Sequence, residues 1–339
     1  MTTINPHYFR DRKILITGGS GFIGSHLVDR LVTAGAIPTL IDDLSTGTAQ
    51  NIRQHLDAGK ITFIQSKVSD CPALAQLAEE SDTIIHLAAA VGVDLVVRSP
   101  IRTIHTNLHE TEAILEAASL AGTPLLIAST SEVYGRSTKD EFHESDDLLI
   151  GPPHLGRWSY ACSKLMDEFM ALAYAAERNV SVRIVRFFNT VGPRQTGRYG
   201  MVIPRFVEAA LAGKPLRIFG DGQQTRCFCH VHDAVEAVLR LVTVPEAAGQ
   251  IVNIGSTSEI TIIDLASTVI EVLESSSTLE MIPYDQAYAA GFQDMRRRRP
   301  SIDRLIGLTG FSPVRNLNTI IADTADYFRK HPTDHPTYS

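Results

Sequence analysis

Ile14-Leu15-Ile16-Thr17-Gly18-Gly19-Ser20-Gly21-Phe22-Ile23-Gly24 decides the fold. A short β-branched run leads into glycines at every third position, and a helical pattern over Ser25–Ala34 follows. Gly18 permits a tight turn, Gly21 lets backbone N–H groups approach an anion, and Gly24 lets the helix pack closely. The helix N-terminus, with Phe22 and Ile23, then faces negative charge. Working outward, Lys13–Thr17, Thr39–Asp42, Thr62–Gln65, Thr83–Leu87 and Leu125–Ser129 are each followed by a helix-length segment, which predicts parallel strands joined by crossover helices. These runs are apolar on both faces, as in a sheet covered by helices on each side.

Asp42 closes the second of these runs. There a carboxylate accepts hydrogen bonds from the adenosine ribose hydroxyls of a dinucleotide and repels a 2′-phosphate, so the cofactor reads as NAD. The fold class is therefore α/β, a Rossmann-type doubly wound parallel sheet. After Val182–Phe187 the pattern shortens and is punctuated by Gly192-Pro193, Gly197–Gly200 and Gly220-Asp221-Gly222, which predicts a smaller interleaved α/β substrate-binding lobe. The run Ile251–Ile254 is expected to rejoin the first sheet. This divides the chain into a dinucleotide-binding domain over 1–189, rejoined by about 231–260, a lobe built from 190–230 and 261–330, and a loose tail over 331–339.

At 339 residues and 44% hydrophobic content the chain can bury a large core, which excludes dominant disorder. Its balance of 31 basic against 38 acidic residues, net −7, argues against a general electrostatic grip on nucleic acid or membrane, so an anionic ligand must be held locally. Four scattered cysteines, Cys71, Cys162, Cys227 and Cys229, suit a reducing compartment. The longest apolar stretch, Leu87–Val97, is broken by Gly92 and Asp94 and falls short of the ~20 residues of a bilayer span. With no signal peptide at Met1–Arg12, the expected location is cytoplasmic.

Ser159-Tyr160-Ala161-Cys162-Ser163-Lys164 opens a helix predicted to run to about Arg178. Tyr160 and Lys164 share one face, and an ammonium there is expected to favour the phenolate and make Tyr160 a base near neutrality. Together with the glycine turn, this pair resembles the extended short-chain dehydrogenase/reductase family of nucleotide-sugar epimerases, dehydratases and decarboxylases. The resemblance extends to Asp42–Gly47, His86-Leu87-Ala88-Ala89, Asn107, Phe188–Pro193 and Phe219–Gly222. It implies tightly held NAD, contacted by Gly18, Gly21, Phe22, Ile23, Gly24, Asp42, Leu87, Ala88, Asn107, Tyr160 and Lys164. It also implies a homodimer through helices near Asn107–Ala121 and Tyr160–Arg178. The sequence departs from the family at Lys67, where an acidic residue usually meets the adenine; backbone near Val68 is left to serve.

The stretch Ser129-Thr130-Ser131-Glu132 separates the subfamilies. The resembling 4,6-dehydratases carry Thr-Asp-Glu, and the Ser131 hydroxyl is too weak an acid to replace that aspartic acid. The 4-epimerases usually have small or hydroxyl residues at both places, which gives Glu132 no task. Thr-Ser-Glu is most similar to the UDP-glucuronate decarboxylases, or UDP-xylose synthases. A second resembling segment, Gly291–Ser301, carries a basic run ahead of Pro300. Alignment on that proline makes Arg298 the arginine that enters the sugar site, while at least two of Arg296–Arg299 are expected on a solvated or acid-paired face. The resemblance further implies Thr130, Glu132, Tyr160, Lys164 and Arg298 as catalytic, and Ser131, Asn189, Phe219, Arg226 and Arg298 as contacts to a UDP-sugar. A 4-epimerase and a non-catalytic NAD-binding scaffold are the competing readings.

Cys227-Phe228-Cys229-His230-Val231-His232-Asp233 has a metal-like composition. On a strand the cysteines and histidines fall on opposite faces, so no metal site is expected and the cysteines read as small buried hydrophobes. Asp233 is expected to cap the helix Ala234–Val242, and Cys162 to serve packing. Trp158 and His86 each suit either core or substrate lining.

Overall fold

The structure, a computed structural model, describes residues 7–90, 99–197, 201–283 and 295–332. Most of Leu87–Val97, Gly291–Asp294 and nearly all of the expected tail lie outside these residues. The first half runs β1 (Lys13–Thr17), α1 (Phe22–Thr33), β2 (Ile37–Asp42), α2 (Arg53–Asp57), β3 (Thr62–Gln65), α3 (Leu74–Glu79), β4 (Thr83–His86), α4 (Pro100–Ala121), β5 (Leu125–Thr130), α5 (Trp158–Arg178) and β6 (Val182–Phe187). The second half runs β7 (Thr190–Val191), α6 (Val202–Leu211), β8 (Leu216–Phe219), β9 (Thr225–Cys227), β10 (Cys229–His230), α7 (Val231–Thr243), β11 (Ile251–Ile254), β12 (Glu259–Thr261), α8 (Ile262–Val272), β13 (Leu279–Ile282), α9 (Asp303–Thr309) and α10 (Leu317–Lys330).

A seven-stranded sheet, ordered β3-β2-β1-β4-β5-β6-β11 with every pair parallel, forms the frame. Strand order reverses between β1 and β4, the switch point at whose carboxyl ends a doubly wound sheet takes its ligand. Alternation along the strands feeds two cores. Ile14 and Ile16 of β1 pack with Leu27, Val28 and Leu31 of α1 and with Val235 and Val238 of α7. Leu15 points the other way, into a core shared by Ile114 and Leu115 of α4 and Ala171 of α5. Both faces are thus dry, which explains why the strands read as unbroken apolar runs.

β11 does return to the large sheet beside β6. The smaller lobe is assembled from pairs: β8 with β13 in parallel, β9 with β12 antiparallel, and a third core in which Phe206 and Val207 of α6, Leu265 and Val269 of α8, and Ile320, Ile321 and Phe328 of α10 meet. Ile302 and Leu305, in a stretch read as part of the lobe, pack instead with α1 and α7 on the large sheet. One more expectation is corrected at α7. The helix starts at Val231 and its cap is His230, whose side chain accepts the His232 N–H. Asp233 instead accepts from the Val314 and Arg315 amides and pairs with the Arg315 guanidinium, anchoring the strap between α9 and α10. Among the described residues no helix is long and apolar enough to cross a membrane.

Candidate active site

The glycine turn is built as the spacing dictates. Gly18 adopts φ +72°, and a Cβ there would lie 2.8 Å from the Ala88 nitrogen and 2.9 Å from the Leu87 carbonyl carbon. Leu87 and Ala88 therefore press directly on the turn, held by Leu87 N–H to Thr17 O at 3.0 Å and Ala88 N–H to Thr17 Oγ1 at 3.2 Å. A Cβ on Gly24 would stand 2.1 Å from the Gly18 carbonyl oxygen, so only glycine lets α1 approach this closely. Gly21 caps α1 without a side chain and the first turn holds no acidic residue, which leaves the Phe22 and Ile23 end suited to an anion.

Asp42 is buried at the end of β2. Its Oδ2 accepts the Ser20 N–H at 2.9 Å and its Oδ1 the Leu44 N–H at 2.8 Å, tying the next loop to the glycine turn. Burial raises its carboxyl against the pull of these two amides. A carboxylate offers about four acceptor positions, so capacity for ribose hydroxyls remains. Val68 is buried, and its N–H donates to Glu110 Oε2 of α4 at 2.5 Å, while Ser69 Oγ donates to Oε1 at 2.7 Å. Lys67 faces solvent beside Asp70. The Val68 amide, left to serve the adenine, is thus taken by Glu110 of α4, a residue the sequence reading passed over.

Asn107 is buried and joins two elements: its Oδ1 accepts the Ala90 N–H at 2.8 Å and its Nδ2 donates to Ser163 Oγ at 3.0 Å. His86 lies in the core, bridging Thr17 Oγ1 at 2.7 Å and Thr111 Oγ1 at 3.4 Å. Burial and then the Lys164 charge drop its pKa to about 3, so it stays neutral. Trp158 is likewise core. These placements decide two readings that sequence left open.

β5 ends at Thr130, and a short 3-10 turn carries Ser131 and Glu132 over the cleft. Thr130 Oγ1 accepts the Glu132 N–H at 3.2 Å, which leaves its own hydrogen to donate to the Tyr160 oxygen. Lys164 is buried and donates to Asp167 Oδ2 at 2.6 Å. The expectation that Lys164 lowers the tyrosine is not met here. Burial pushes Tyr160 up first, with the charges of Glu132 and Asp167 adding to it.

Glu132 is the centre of a cationic cluster. Arg298 Nη2 donates to its Oε1 at 2.6 Å, and Arg157 Nη2 lies 3.6 Å from its Oε2. Burial pushes this carboxyl up, but Arg298, Arg157 and Arg226 outweigh it and hold it below the ordinary carboxylate range. Arg298 also reaches Ser131 Oγ at 3.5 Å, and its Nε is buried with no hydrogen-bond partner among the described residues. That leaves a buried donor for an oxyanion beside Glu132. Arg157, on the loop leading into α5, was missed in the sequence. Of the other arginines in the run, Arg296 is exposed, Arg297 pairs with Glu259 and Asp140, and Arg299 pairs with Glu141.

The remaining residues border the lobe. Arg226 is buried and donates to the Met295 carbonyl at 2.8 Å. Asn189, at φ 28°, donates from Nδ2 to Cys227 O at 2.9 Å, and the Arg205 guanidinium sits 4.5 Å over the Phe219 ring. Cys227 and Cys229 are buried, and burial raises both thiols, the first to about 12. Cys162, expected in packing, is exposed on α5.

A Rossmann sheet with a glycine-capped α1, a Tyr160–Lys164 pair on α5 and a second lobe over the cleft defines an extended short-chain dehydrogenase/reductase. The chain belongs to the NAD dependent epimerase/dehydratase family, which it matches over residues 14–255. It is 39% identical over 324 residues to the UDP-N-acetyl-alpha-D-glucosaminuronate decarboxylase of Bacillus cytotoxicus, covering 95% of this chain and 99% of that one. With UDP-glucuronic acid decarboxylase 1 of Danio rerio it shares 35% identity over 324 residues, 95% of this chain and 74% of the other. It also superposes on the UDP-glucuronic acid 4-epimerase of Bacillus cereus, solved with UDP-glucuronic acid and NAD, at a TM-score of 0.84 and 26% identity over 94% of this chain and 99% of that one. The family cofactor is NAD, and its relatives span decarboxylation, epimerisation and dehydration of sugar nucleotides.

Proposed function

We propose that the protein is an NAD-dependent decarboxylase of a UDP-uronate, either UDP-glucuronate, giving UDP-xylose, or its 2-acetamido analogue. The observation that carries this reading is the ionised Glu132 held by Arg298 and Arg157 beside Thr130 and Tyr160. Gly18, Gly21, Phe22, Ile23 and Gly24 would hold the pyrophosphate of the dinucleotide, and Asp42 its adenosine ribose. Leu87, Ala88 and Asn107 shape the wall beneath it, and Tyr160 and Lys164 the far end. When bound, NAD supplies a reversible acceptor for the hydride of the sugar C4′.

Tyr160 accepts the proton of the C4′ hydroxyl, while the Thr130 hydroxyl orients that oxygen. The sugar is then a 4-ketone whose C5′ carboxylate is β to a carbonyl, so CO₂ departs with its electrons delocalised into an enolate. Hydrogen bonds from Tyr160 and Thr130 stabilise that oxyanion. Arg298, with Ser131 beside it, receives the substrate carboxylate and holds it against ionised Glu132. Loss of CO₂ relieves this like-charge contact. A proton delivered to C5′ from solvent converts the enolate back to a 4-ketone, and as the hydride goes back to C4′ Tyr160 returns its own proton to O4′. Arg226 and Asn189 face the diphosphate and Phe219 the uracil. Ile101 and Leu120 on α4 and Met166 and Phe169 on α5 are exposed apolar side chains, which supports pairing of two copies through these helices.

Incubation with UDP-glucuronate, and separately its 2-acetamido analogue, carrying a labelled carboxyl carbon tests the reading. Labelled gas with a UDP-pentose product is expected. Label retained in an isomer would instead establish a 4-epimerase, the reading favoured by the superposition on the Bacillus cereus enzyme.

A further inference from the structure

Lys164 does not stand alone beside Tyr160. Its ammonium lies 2.6 Å from Asp167 Oδ2, one turn along the same helix, and both side chains are almost wholly excluded from solvent. Burial raises this carboxyl against the pull of Lys164 and of the Thr111 hydroxyl on α4, and its Oδ1 has no hydrogen-bond partner among the described residues. Thr111 in turn contacts His86, which reaches Thr17 at the foot of the glycine turn. Because His86 is held neutral, this buried chain from β1 to α5 contains a single ion pair. A buried ammonium without a counter-ion would be costly, and Asp167 meets that need before Tyr160 ionises.

We propose that Asp167 is a positioning residue, a buried counter-ion that holds the Lys164 ammonium against itself and so sets the pH range in which Tyr160 works as a base. The proposal rests on the assignment of Tyr160 as that base. The other titratable groups that act on Tyr160, Lys164 or Asp167 are already committed. From the turn after β5 comes Glu132, neutralised by Arg298, Arg157 and Arg226. Glu168 on α5 is bound in two hydrogen bonds by Arg186 of β6, at 2.9 and 2.7 Å. His86 from β4 is neutral. Asp167 is the carboxylate that competes with the phenolate for Lys164, and its own charge opposes tyrosine ionisation.

Asp167→Asn removes that charge and releases Lys164 toward Tyr160. In the NAD-loaded protein, the acid-side midpoint of kcat is expected to move down by about one pH unit, with KM for the UDP-uronate within about twofold. Asp167→Glu, which keeps the carboxylate, is expected to leave the midpoint in place. Tyrosinate absorbance, measured as the difference between each variant and its Tyr160→Phe partner, follows Tyr160 directly and needs no turnover. If the Asn variant fails to fold, the smaller neutral Asp167→Ser takes its place. A Tyr160 midpoint unchanged or raised in the neutral variants overturns the proposal, as does an equal loss of kcat in the Glu and Asn variants with no change in profile. Should the absorbance midpoint fall while labelled carboxylate is never released, the decarboxylase reading fails and the role of Asp167 stands.

Discussion

Two buried clusters of ionisable groups lie on either side of the glycine helix, and they have opposite charge states. In the cleft, Glu132 is ionised between Arg298 and Arg157, and Lys164 is paired with Asp167. Where α1 meets the start of α7, the His232 ring meets His26 edge to face at 5.0 Å between centroids and lies tilted 4.8 Å from His230. Burial takes His26 and His232 down to about 4. His26 Nε2 bonds the Pro193 carbonyl at 2.9 Å, and His230 Nε2 reaches Asp323 of α10 at 3.1 Å. Burial alone therefore does not set charge. Glu132, whose opposite partners outweigh burial, stays ionised and ready to handle an anion, whereas the histidines, for which burial outweighs the pull of Asp29 and Asp323, become neutral and serve as joints between the large sheet and the lobe.

The sharpest way to break this contrast is Arg298→Ala. Glu132 would keep Arg157 at 3.6 Å but lose the donor at 2.6 Å. Release of labelled CO₂ is expected to fall by about 10²–10³-fold, the usual cost of removing one preorganised donor to a developing charge. Activity within a few-fold of the parent would mean that the cationic cluster only stabilises the fold.

Why some of this was legible and some not follows from what fixes each feature. The strands β1, β4 and β5 announce themselves because a doubly covered sheet demands apolar residues on both faces, a purely local pattern. Thr130, Glu132, Tyr160 and Lys164 sit at fixed offsets from such strands and helices. Arg157, Glu110 and Asp167 are defined by partners far away in sequence or by burial that no local pattern reports: Glu110 bonds Val68, and Asp167 looks like an ordinary helix-surface acid paired at i−3. Asp233 fails as a cap for the same reason, since its partner Arg315 arrives from another strap. The lobe strands, two to four residues long, are too short to show alternation.

Acid separates the two clusters by window. A histidine whose folded pKa lies below its unfolded value of about 6.5 binds fewer protons folded than unfolded between the two. Stability is therefore fully present above about 6.5 and is lost as pH falls toward about 4, where His26 and His232 titrate in the folded chain. Glu132, lowered from 4.5, withdraws its share only below that value. The thermal midpoint is expected to drop first between pH 6.5 and 4.5, by a stability change on the order of 2 kcal/mol. The double variant His26→Gln/His232→Gln should make that part of the curve shallower, with His86 and His230, also lowered by burial, carrying the remainder. An equally steep loss in the variant would place the acid sensitivity elsewhere.

The smallest effect is expected from the neighbour of the most sensitive arginine. Arg297 makes more ion-pair contacts than Arg298, with Nε and Nη2 on Glu259 at 2.7 and 2.6 Å and Nη1 on Asp140 at 2.6 Å. Its side chain is 37% exposed and that of Asp140 90%, so water and salt screen what the geometry offers. Arg297→Ala should cost only about 0–1 kcal/mol and leave CO₂ release unchanged, a result read from the same thermal and label assays. Glu259 also accepts from Thr225 on β9 at 2.5 Å, so the β9–β12 pair keeps one of its side-chain ties without the arginine. If Arg297→Ala instead matched Arg298→Ala in lost activity, contact number rather than burial would govern what an arginine does in this run, and the contrast between the clusters would lose its physical basis.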